Sequence, residues 1–244
     1  MMKVVVVVLL LQEVVWAEMT SLKSLNVVPE MPDKISRCEL EKVGLFQPTF
    51  PACGSLCSRH DDCNLFCMNG TTCSLYSAKV SSWWSGVTTV DTVRYDGCYS
   101  TWYLDNNITP LIVATTATPP LIPSRAAEYL PNGFMCLNMD YFCFISERAQ
   151  FPYWRADLGD FRRVTLITIS TRPGLLSQFE MIEISLGNSS DYNNPLFGSF
   201  TGPAPSSSNV DFQPIIPVTG RFLQIQSRVP GDSFIAMCDI QIIN

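Results

Sequence analysis

Side chains that commonly carry out catalysis are scarce in this 244-residue chain, which has a single histidine, His60, next to Asp61 and Asp62. One histidine leaves little room for a His-rich metal site or a Ser-His-Asp triad. The sequence also shows no nucleophile–base pattern, phosphate-binding loop or HExxH motif. We therefore expect a binding protein and not an enzyme.

The charge balance of the chain argues against nucleic acid as a partner. Sixteen Lys and Arg residues face 22 Asp and Glu residues, which gives a net charge of −6. Nucleic-acid binding requires clustered positive charge. The composition thus predicts no nucleic-acid partner.

The first 17 residues, MMKVVVVVLLLQEVVWA, have the pattern of a secretory signal peptide. Lys3 supplies the positive end, Val4 to Leu11 form the apolar stretch, and Val15 and Ala17 are the small residues before cleavage. A membrane-spanning helix needs about 20 apolar residues, so we expect no anchor and at most peripheral membrane contact. Ten cysteines fit the oxidising extracellular compartment that this leader implies.

The cysteines fall into two groups, which indicates two modules. Seven lie between Cys38 and Cys98, and three follow residue 130. Between the groups, residues 105–124 are rich in Pro and Thr, a composition that favours extended linkers over packed structure. We expect a signal peptide over 1–17, a spacer over 18–35, a first domain over 36–100, a linker over 101–124 and a second domain over 125–244. A surface loop is the alternative to the linker.

Cysteine spacing predicts a small α+β fold for the first domain. Cys53 and Cys57 would share one face of a helix, because they are four residues apart. The segments 63–69 and 73–77, with Asn-Gly-Thr over residues 69–71 at the turn, read as strand, turn and strand. A domain of this size rarely folds without cross-links.

The run CGSLC…CNLF…TCSLY over residues 36–100 resembles the PAN/apple family. The resemblance implies an adhesive module, with Trp83, Trp84 and Trp102 as candidate contacts. Alternatively, one of Trp83 and Trp84 packs inward and the other only covers the surface. It also implies three disulfides, and it leaves Cys67 unassigned. These three pairs are Cys38–Cys98, Cys53–Cys73 and Cys57–Cys63.

Alternating apolar and polar residues predict antiparallel strands in the second domain, over 164–170, 179–185, 221–227 and 234–243. Several such strands in about 120 residues suggest a β-sandwich. If the domain's ends meet, Cys143 or Cys136 could bridge to Cys238.

Five motifs of the second domain resemble, in order, those of F-type lectins (fucolectins), which are discoidin-like, galactose-binding-like jelly-roll sandwiches. The motifs are PYWRADLG, ISTR, EISLGNSS with NPLFG, GRFLQIQS and MCDIQI. The family disulfide corresponds to Cys143–Cys238. The expected fold class is therefore mainly β: a disulfide-rich α+β PAN/apple module followed by a jelly-roll β-sandwich.

The resembled family binds L-fucose with a His and an Arg-x-Asp-x4-Arg/Lys motif, and this chain keeps little of that set. Arg172 matches the first Arg, but Ile145, Gly174 and Phe179 stand at the other positions. The resemblance implies a degenerate fucose site with Arg172, Ile145 and Phe179 as candidate ligand contacts. Alternatively, Ile145 and Phe179 have joined the core.

The resemblance also implies a structural calcium ion, for which Asn132 and Asp239 are the remaining oxygen ligands.

Three N-glycosylation sequons begin at Asn69, Asn107 and Asn188. Asn107 is the strongest surface candidate of the three because it lies in the expected linker. Cys67 and Cys136 are left over, so they either pair with each other or each bridge to another chain in a disulfide-linked or homo-oligomeric form.

Taken together, the sequence predicts a secreted, two-module protein that recognises extracellular glycans or glycoproteins, in adhesion or innate defence. Two modules on one chain would raise avidity. The alternative is an extracellular matrix or protein-interaction protein without sugar binding, which the degenerate fucose site favours.

Overall fold

The computed structural model describes residues 30–45, 49–80, 92–94, 97–100, 107–138, 140, 143–174 and 179–244. The predicted signal peptide, most of the spacer and the three candidate tryptophans of the first domain lie outside these residues. The chain divides into two compact units, Met1–Tyr103 and Leu104–Asn244.

The described part of the first unit is a small sheet with one helix. The elements of this unit are β1 (Glu30–Pro32), a 3₁₀ helix (Asp33–Cys38), β2 (Glu39–Gly44), α1 (Phe50–Ser58), β3 (Leu65–Asn69), β4 (Thr72–Tyr76), β5 (Ala78–Val80), β6 (Thr92–Arg94) and β7 (Gly97–Ser100). Four of the strands form an antiparallel sheet in the order β2, β4, β3 and β7, and β1 pairs with β6.

Helix α1 begins where the cysteine spacing predicts a helix. The Thr49 side chain accepts a hydrogen bond from the Ala52 backbone N–H at 3.3 Å, and Pro51 fits the first turn. The helix buries Cys53 and Cys57 on the face that meets β3 and β4. The predicted hairpin is also present, since β3 and β4 pair across a turn in which Gly70 has φ +56°.

Disulfides Cys53–Cys73 and Cys57–Cys63 fasten the helix to this hairpin, as the PAN/apple resemblance implied. The implied pair Cys38–Cys98 is wrong, because Cys98 is bonded to Cys67. These two cysteines lie directly opposite each other on β7 and β3, with their Cα atoms 4.1 Å apart. The alternative in which Cys67 pairs with Cys136 is therefore wrong as well. Neither Cys38 nor Cys136 is a free thiol.

Peptide mapping under non-reducing conditions tests this register. We expect a proteolytic digest to contain Cys67 and Cys98 in one disulfide-linked pair of peptides, because adjacent strands place the two residues face to face. A peptide pair linking Cys38 to Cys98 would contradict the sheet order of the first unit.

The second unit consists mainly of two β-sheets. Its 3₁₀ helices are Thr109–Leu111, Pro123–Arg125 and Ala127–Tyr129. Its strands are β8 (Ala114–Ala117), β9 (Phe134–Cys136), β10 (Phe144–Ile145), β11 (Ala149–Gln150), β12 (Tyr153–Val164), β13 (Leu166–Thr171), β14 (Ile182–Gly187), β15 (Leu196–Phe200), β16 (Asn209–Phe212), β17 (Val218–Ser227), β18 (Asp232–Ser233) and β19 (Ala236–Ile243).

These strands form the predicted β-sandwich. One sheet has the order β10, β19, β13 and β16, and the other has the order β15, β14, β17, β12 and β8. Alternate residues of both sheets enter one apolar core, in which Ile169, Ile225 and Trp154 are fully buried. The Trp154 indole N–H donates to the Ala127 carbonyl at 2.9 Å, so its one polar atom is satisfied. Disulfide Cys143–Cys238 joins the loop before β10 to β19, as predicted.

The predicted linker is not a separate segment from Asn107 onward. Residues Ala114–Ala117 form edge strand β8 and pair with Trp154 to Asp157 of β12. Thr109 is buried, and its hydroxyl accepts a hydrogen bond from the Ile242 backbone N–H at 2.9 Å. The strand itself contains two threonines and no proline, and β-branched threonine is favoured in strands, so the prolines of the segment lie outside the paired residues.

No helix among the described residues is long and apolar enough to cross a membrane.

Candidate functional site

Arg172 stands at the first Arg position of the fucose-binding motif. It lies immediately after β13, in a loop that hydrogen bonds hold in place. The preceding Thr171 hydroxyl donates to the Pro205 carbonyl at 2.7 Å and accepts from the Ser208 backbone N–H at 2.9 Å. These bonds hold the end of the strand against the loop that leads to β16. The position of the Arg172 backbone is thus set by local structure.

Arg172 is paired with Asp140, a residue that the sequence comparison did not single out. The Arg172 Nε donates to the Asp140 carboxylate at 2.7 Å, and its Nη2 contacts the same oxygen. Arg125 Nη2 donates to the other carboxylate oxygen at 2.9 Å. One acid therefore orients two guanidinium groups, and the resulting trio, Arg125, Asp140 and Arg172, is here called the arginine cluster.

The arginine cluster carries one net positive charge and is partly open to solvent. The exposed fractions of the side chains are 13% for Arg125, 20% for Arg172 and 27% for Asp140. Burial raises the pKa of the Asp140 carboxyl, but the hydrogen bonds from Arg125 and Arg172 outweigh burial and hold this pKa below its ordinary value. The acid therefore stays ionised at neutral pH and keeps both arginines in place.

The backbone conformation at position 174 explains why this chain has glycine there and not the Asp of the fucolectin motif. The Gly174 backbone has φ +90°, a conformation that residues with a Cβ rarely adopt. Its N–H donates to the Ser206 hydroxyl at 2.6 Å, which closes the turn. Asp140 reaches Arg172 from another loop, 32 residues earlier in the chain, and no local motif marks that approach.

Ile145 and Phe179, the other two candidate ligand contacts, are core residues, each only 2% exposed. Ile145 pairs with Ala236 and packs around disulfide Cys143–Cys238. The Phe179 ring lies 5.9 Å from the Phe200 ring. Their expected role in ligand binding is therefore wrong, and the alternative that they had joined the core holds.

Truncating Phe179 tests its placement in the core. We expect Phe179→Ala to lower the free energy of unfolding by about 3–5 kcal/mol, because it leaves a cavity between the sheets. Phe161→Ala is the matched control, since Phe161 is 58% exposed, and it should change stability by less than about 0.5 kcal/mol. Urea unfolding measures both. Equal effects of the two variants would contradict the burial of Phe179.

The expected calcium ligands already have partners within the protein. Asn132 Oδ1 accepts from the Phe134 backbone N–H at 2.8 Å. The Asp239 carboxylate is 3% exposed and accepts from the Gln241 amide at 2.9 Å. The described residues contain no group of three or more His, Cys, Asp or Glu side chains suited to a metal ion. The resemblance alone supports the calcium prediction.

The three sequons differ in their exposure. Asn69 and Asn188 are exposed at the ends of β3 and β14. Asn107 is half-buried, its Nδ2 is shielded from solvent, and its Oδ1 accepts from the Thr109 backbone N–H at 2.9 Å. The expectation that Asn107 is the best surface site is wrong, because its segment is part of the sandwich.

No protein-family model matches the sequence, and no curated protein matches it either. Among solved structures, one that is similar is a fucolectin from striped bass (Morone saxatilis) serum, at 20% identity and a TM-score of 0.49. The match covers 71% of this chain and 57% of the fucolectin chain, so this chain spans less than two thirds of that protein.

Two bacterial modules are also similar. A Streptococcus pneumoniae fucose-binding module, SpX-3, has 14% identity and a TM-score of 0.46, and the match covers 57% of this chain and 97% of the module. The family 32 carbohydrate-binding module of C. perfringens NanJ, solved with galactose, has 15% identity and a TM-score of 0.46, with 57% and 98% covered. At such identities and TM-scores the likeness assigns no ligand to this chain.

The pH dependence of stability tests the arginine cluster. The folded-state pKa of Asp140 lies below its unfolded value, so the stabilisation is fully present above about pH 4 and is lost as the pH falls through the lowered pKa. We expect Asp140→Asn to lower the unfolding free energy by about 1–2 kcal/mol at pH 7, with a discount for partial exposure.

The difference between wild type and Asp140→Asn should shrink as the pH drops below about 4. Urea unfolding over a pH series measures it. Asp232→Asn is the matched control, because Asp232 is exposed and has no ion pair among the described residues. A difference that stayed constant down to the acid range would mean that the Asp140 charge contributes nothing.

Proposed function

We propose that this protein is a secreted carbohydrate- or glycoprotein-recognition protein and that Arg172 is the central binding residue of its second unit. The observation that carries the proposal is the arginine cluster, in which Asp140 fixes the partly exposed guanidinium of Arg172. A charged donor held in one orientation forms stronger hydrogen bonds to ligand oxygens than a mobile donor does. Sugar hydroxyls are ligands of this kind.

The extracellular location rests on the disulfides as well as on the leader. Four disulfides lie within the two units, and no described cysteine is free. Disulfides in such numbers persist in oxidising compartments. The PAN/apple relationship of the first unit, a structural calcium ion at Asn132 and Asp239, and an oligomeric state are parts of this proposal that rest on sequence alone.

A second function, protein interaction without sugar binding, is favoured by one specific observation. Two apolar side chains on the loop between β16 and β17 are strongly exposed, Ile215 at 103% and Ile216 at 75%. Exposed apolar patches often mark contacts with a partner. This function would use the loop and would not depend on Arg172.

A glycan array probed with the mature chain, residues 18–244, tests the proposal. We expect bound glycans to lose at least tenfold in apparent affinity with Arg172→Ala, because the variant removes the charged donor at the centre of the cluster. The array is run with calcium and again with EDTA, so that it also tests the metal prediction.

Arg163→Ala is the matched control for the array, because Arg163 is an exposed arginine on β12 with no ion pair among the described residues. It should bind as wild type does. Glycan binding that survives Arg172→Ala would reject the arginine cluster as the site. An array without any signal would instead favour the interaction protein, to be tested by substituting Ile215 and Ile216 with Ser.

A further inference from the structure

A polar groove crosses the outward face of the five-stranded sheet, and its lining includes no residue of the arginine cluster. It has a volume of about 170 Å³. Strand β14 contributes Glu183 and Ser185 to its lining, β17 contributes Gln224 and Gln226, and the loop between β14 and β15 contributes Tyr192. We call it the sheet groove.

The register of the strands explains why polar groups collect there. Ser185 lies opposite Gln224, which in turn lies opposite Arg155 of β12. In the neighbouring row, Glu183, Gln226 and Tyr153 align across the same three strands. Since successive side chains alternate between faces, the residues between these rows supply the core, and the two rows point outward together.

The amide groups of the sheet groove are held in fixed orientations. Arg155 Nε donates to Gln224 Oε1 at 2.6 Å, Gln224 Nε2 donates to Gln226 Oε1 at 3.3 Å, and Gln226 Nε2 donates to the Phe151 carbonyl at 3.0 Å. The Arg155 guanidinium lies over two aromatic rings, at 4.1 Å from the Tyr153 centroid and 4.6 Å from the Tyr192 centroid. Such a network is rigid before any ligand arrives.

The loop that forms the wall of the groove is also fixed, and it holds a strained residue. Tyr192 has φ +63°, a conformation uncommon for residues other than glycine. Asn194 braces the loop, with its Oδ1 accepting from the Ser189 backbone N–H at 2.9 Å and its Nδ2 donating to the Phe222 carbonyl at 3.3 Å. Strain that the surrounding bonds maintain is typical of ligand-binding segments.

One groove residue has unused hydrogen-bonding capacity. The Ser185 hydroxyl is shielded from solvent and has no hydrogen-bond partner among the described residues. A buried polar atom without a partner is costly. A ligand hydroxyl in the groove would satisfy it.

The charges of the sheet groove are nearly balanced, which points to a neutral ligand. Glu183 pairs with Arg228 at 2.6 Å, and Asp157 pairs with Arg221 at 2.7 Å on the same face. The remaining cation, Arg155, is oriented by an amide. Oriented amides, a hydroxyl, a guanidinium and an aromatic wall match a molecule with many hydroxyls and an apolar ring face.

From these observations we propose that the sheet groove is a second carbohydrate site, which binds a neutral oligosaccharide. Gln226 and Ser185 bond the sugar hydroxyls, Arg155 holds Gln224 and Gln226 in place, and Tyr192 contacts a sugar ring. The inference rests on the proposed function only in taking sugars as the ligand class. Its residues are separate from the arginine cluster.

Affinity electrophoresis of the mature chain in native gels tests this site. The gels contain a neutral polysaccharide, galactomannan or mixed-linkage β-glucan, or an anionic one, polygalacturonate. The parent protein carries Asn188→Gln, because a glycan at that sequon would lie on the loop that bears Tyr192. Every variant is made in this parent. We expect a neutral polysaccharide to retard the protein, and we expect Tyr192→Ala and Gln226→Ala to weaken the apparent affinity at least tenfold.

Two controls separate binding from folding. Gln213→Ala removes an exposed glutamine outside the groove and should bind as the parent does. Tyr192→Phe keeps the ring and should retain most of the affinity, and thermal unfolding of each variant reports its fold. Arg172→Ala should be retarded like the parent, because its side chain belongs to the other site.

Loss of retardation in the two groove variants, with Arg172→Ala unaffected, supports the proposal. Retardation that survives Tyr192→Ala and Gln226→Ala, that appears only with polygalacturonate, or that is absent with both neutral polysaccharides overturns it. The arginine cluster is judged separately by the glycan array and Arg172→Ala, so either site can fail without the other.

Discussion

The packing of one apolar row across the five-stranded sheet is the constraint on which the second unit depends. Ile184, Ile225 and Trp154 lie side by side on β14, β17 and β12, and all three are fully buried. A register slip of one residue would turn this row to solvent and the polar row into the core. Burial of the row therefore sets the register of the three central strands of the sheet.

That register also decides the chemistry of the opposite face. With the apolar row inside, Ser185, Gln224 and Arg155 must point outward together, and their spacing is that of neighbouring strands. The floor of the sheet groove is thus a consequence of core packing, whereas the loop between β14 and β15 forms its wall. The arginine cluster differs, because it is assembled from the ends of elements: a 3₁₀ helix carries Arg125, a loop carries Asp140, and the end of β13 leads to Arg172.

Several features of the fold could be predicted from the sequence because local patterns specify them. Period-two alternation predicted β13, β17 and β19 closely, and the four-residue spacing of Cys53 and Cys57 predicted their helix. Arg172 was identified by its motif and does lie in a polar cluster. Asp140 was missed because its pairing with Arg172 spans 32 residues and follows from how two loops meet.

The two-unit division, the mainly β class and the cysteine-bearing helix follow from the amino-acid sequence, since periodicity and residue spacing encode them locally, and the motif resemblance identifies Arg172. The paired strands and packed sheets were needed to show that the Pro/Thr-rich segment contains strand β8, that Cys67 pairs with Cys98, and that Ile145 and Phe179 are buried. Each of these depends on a partner strand or sheet that is distant in sequence. The composition of a segment cannot reveal which partner will satisfy its backbone or cover its side chains.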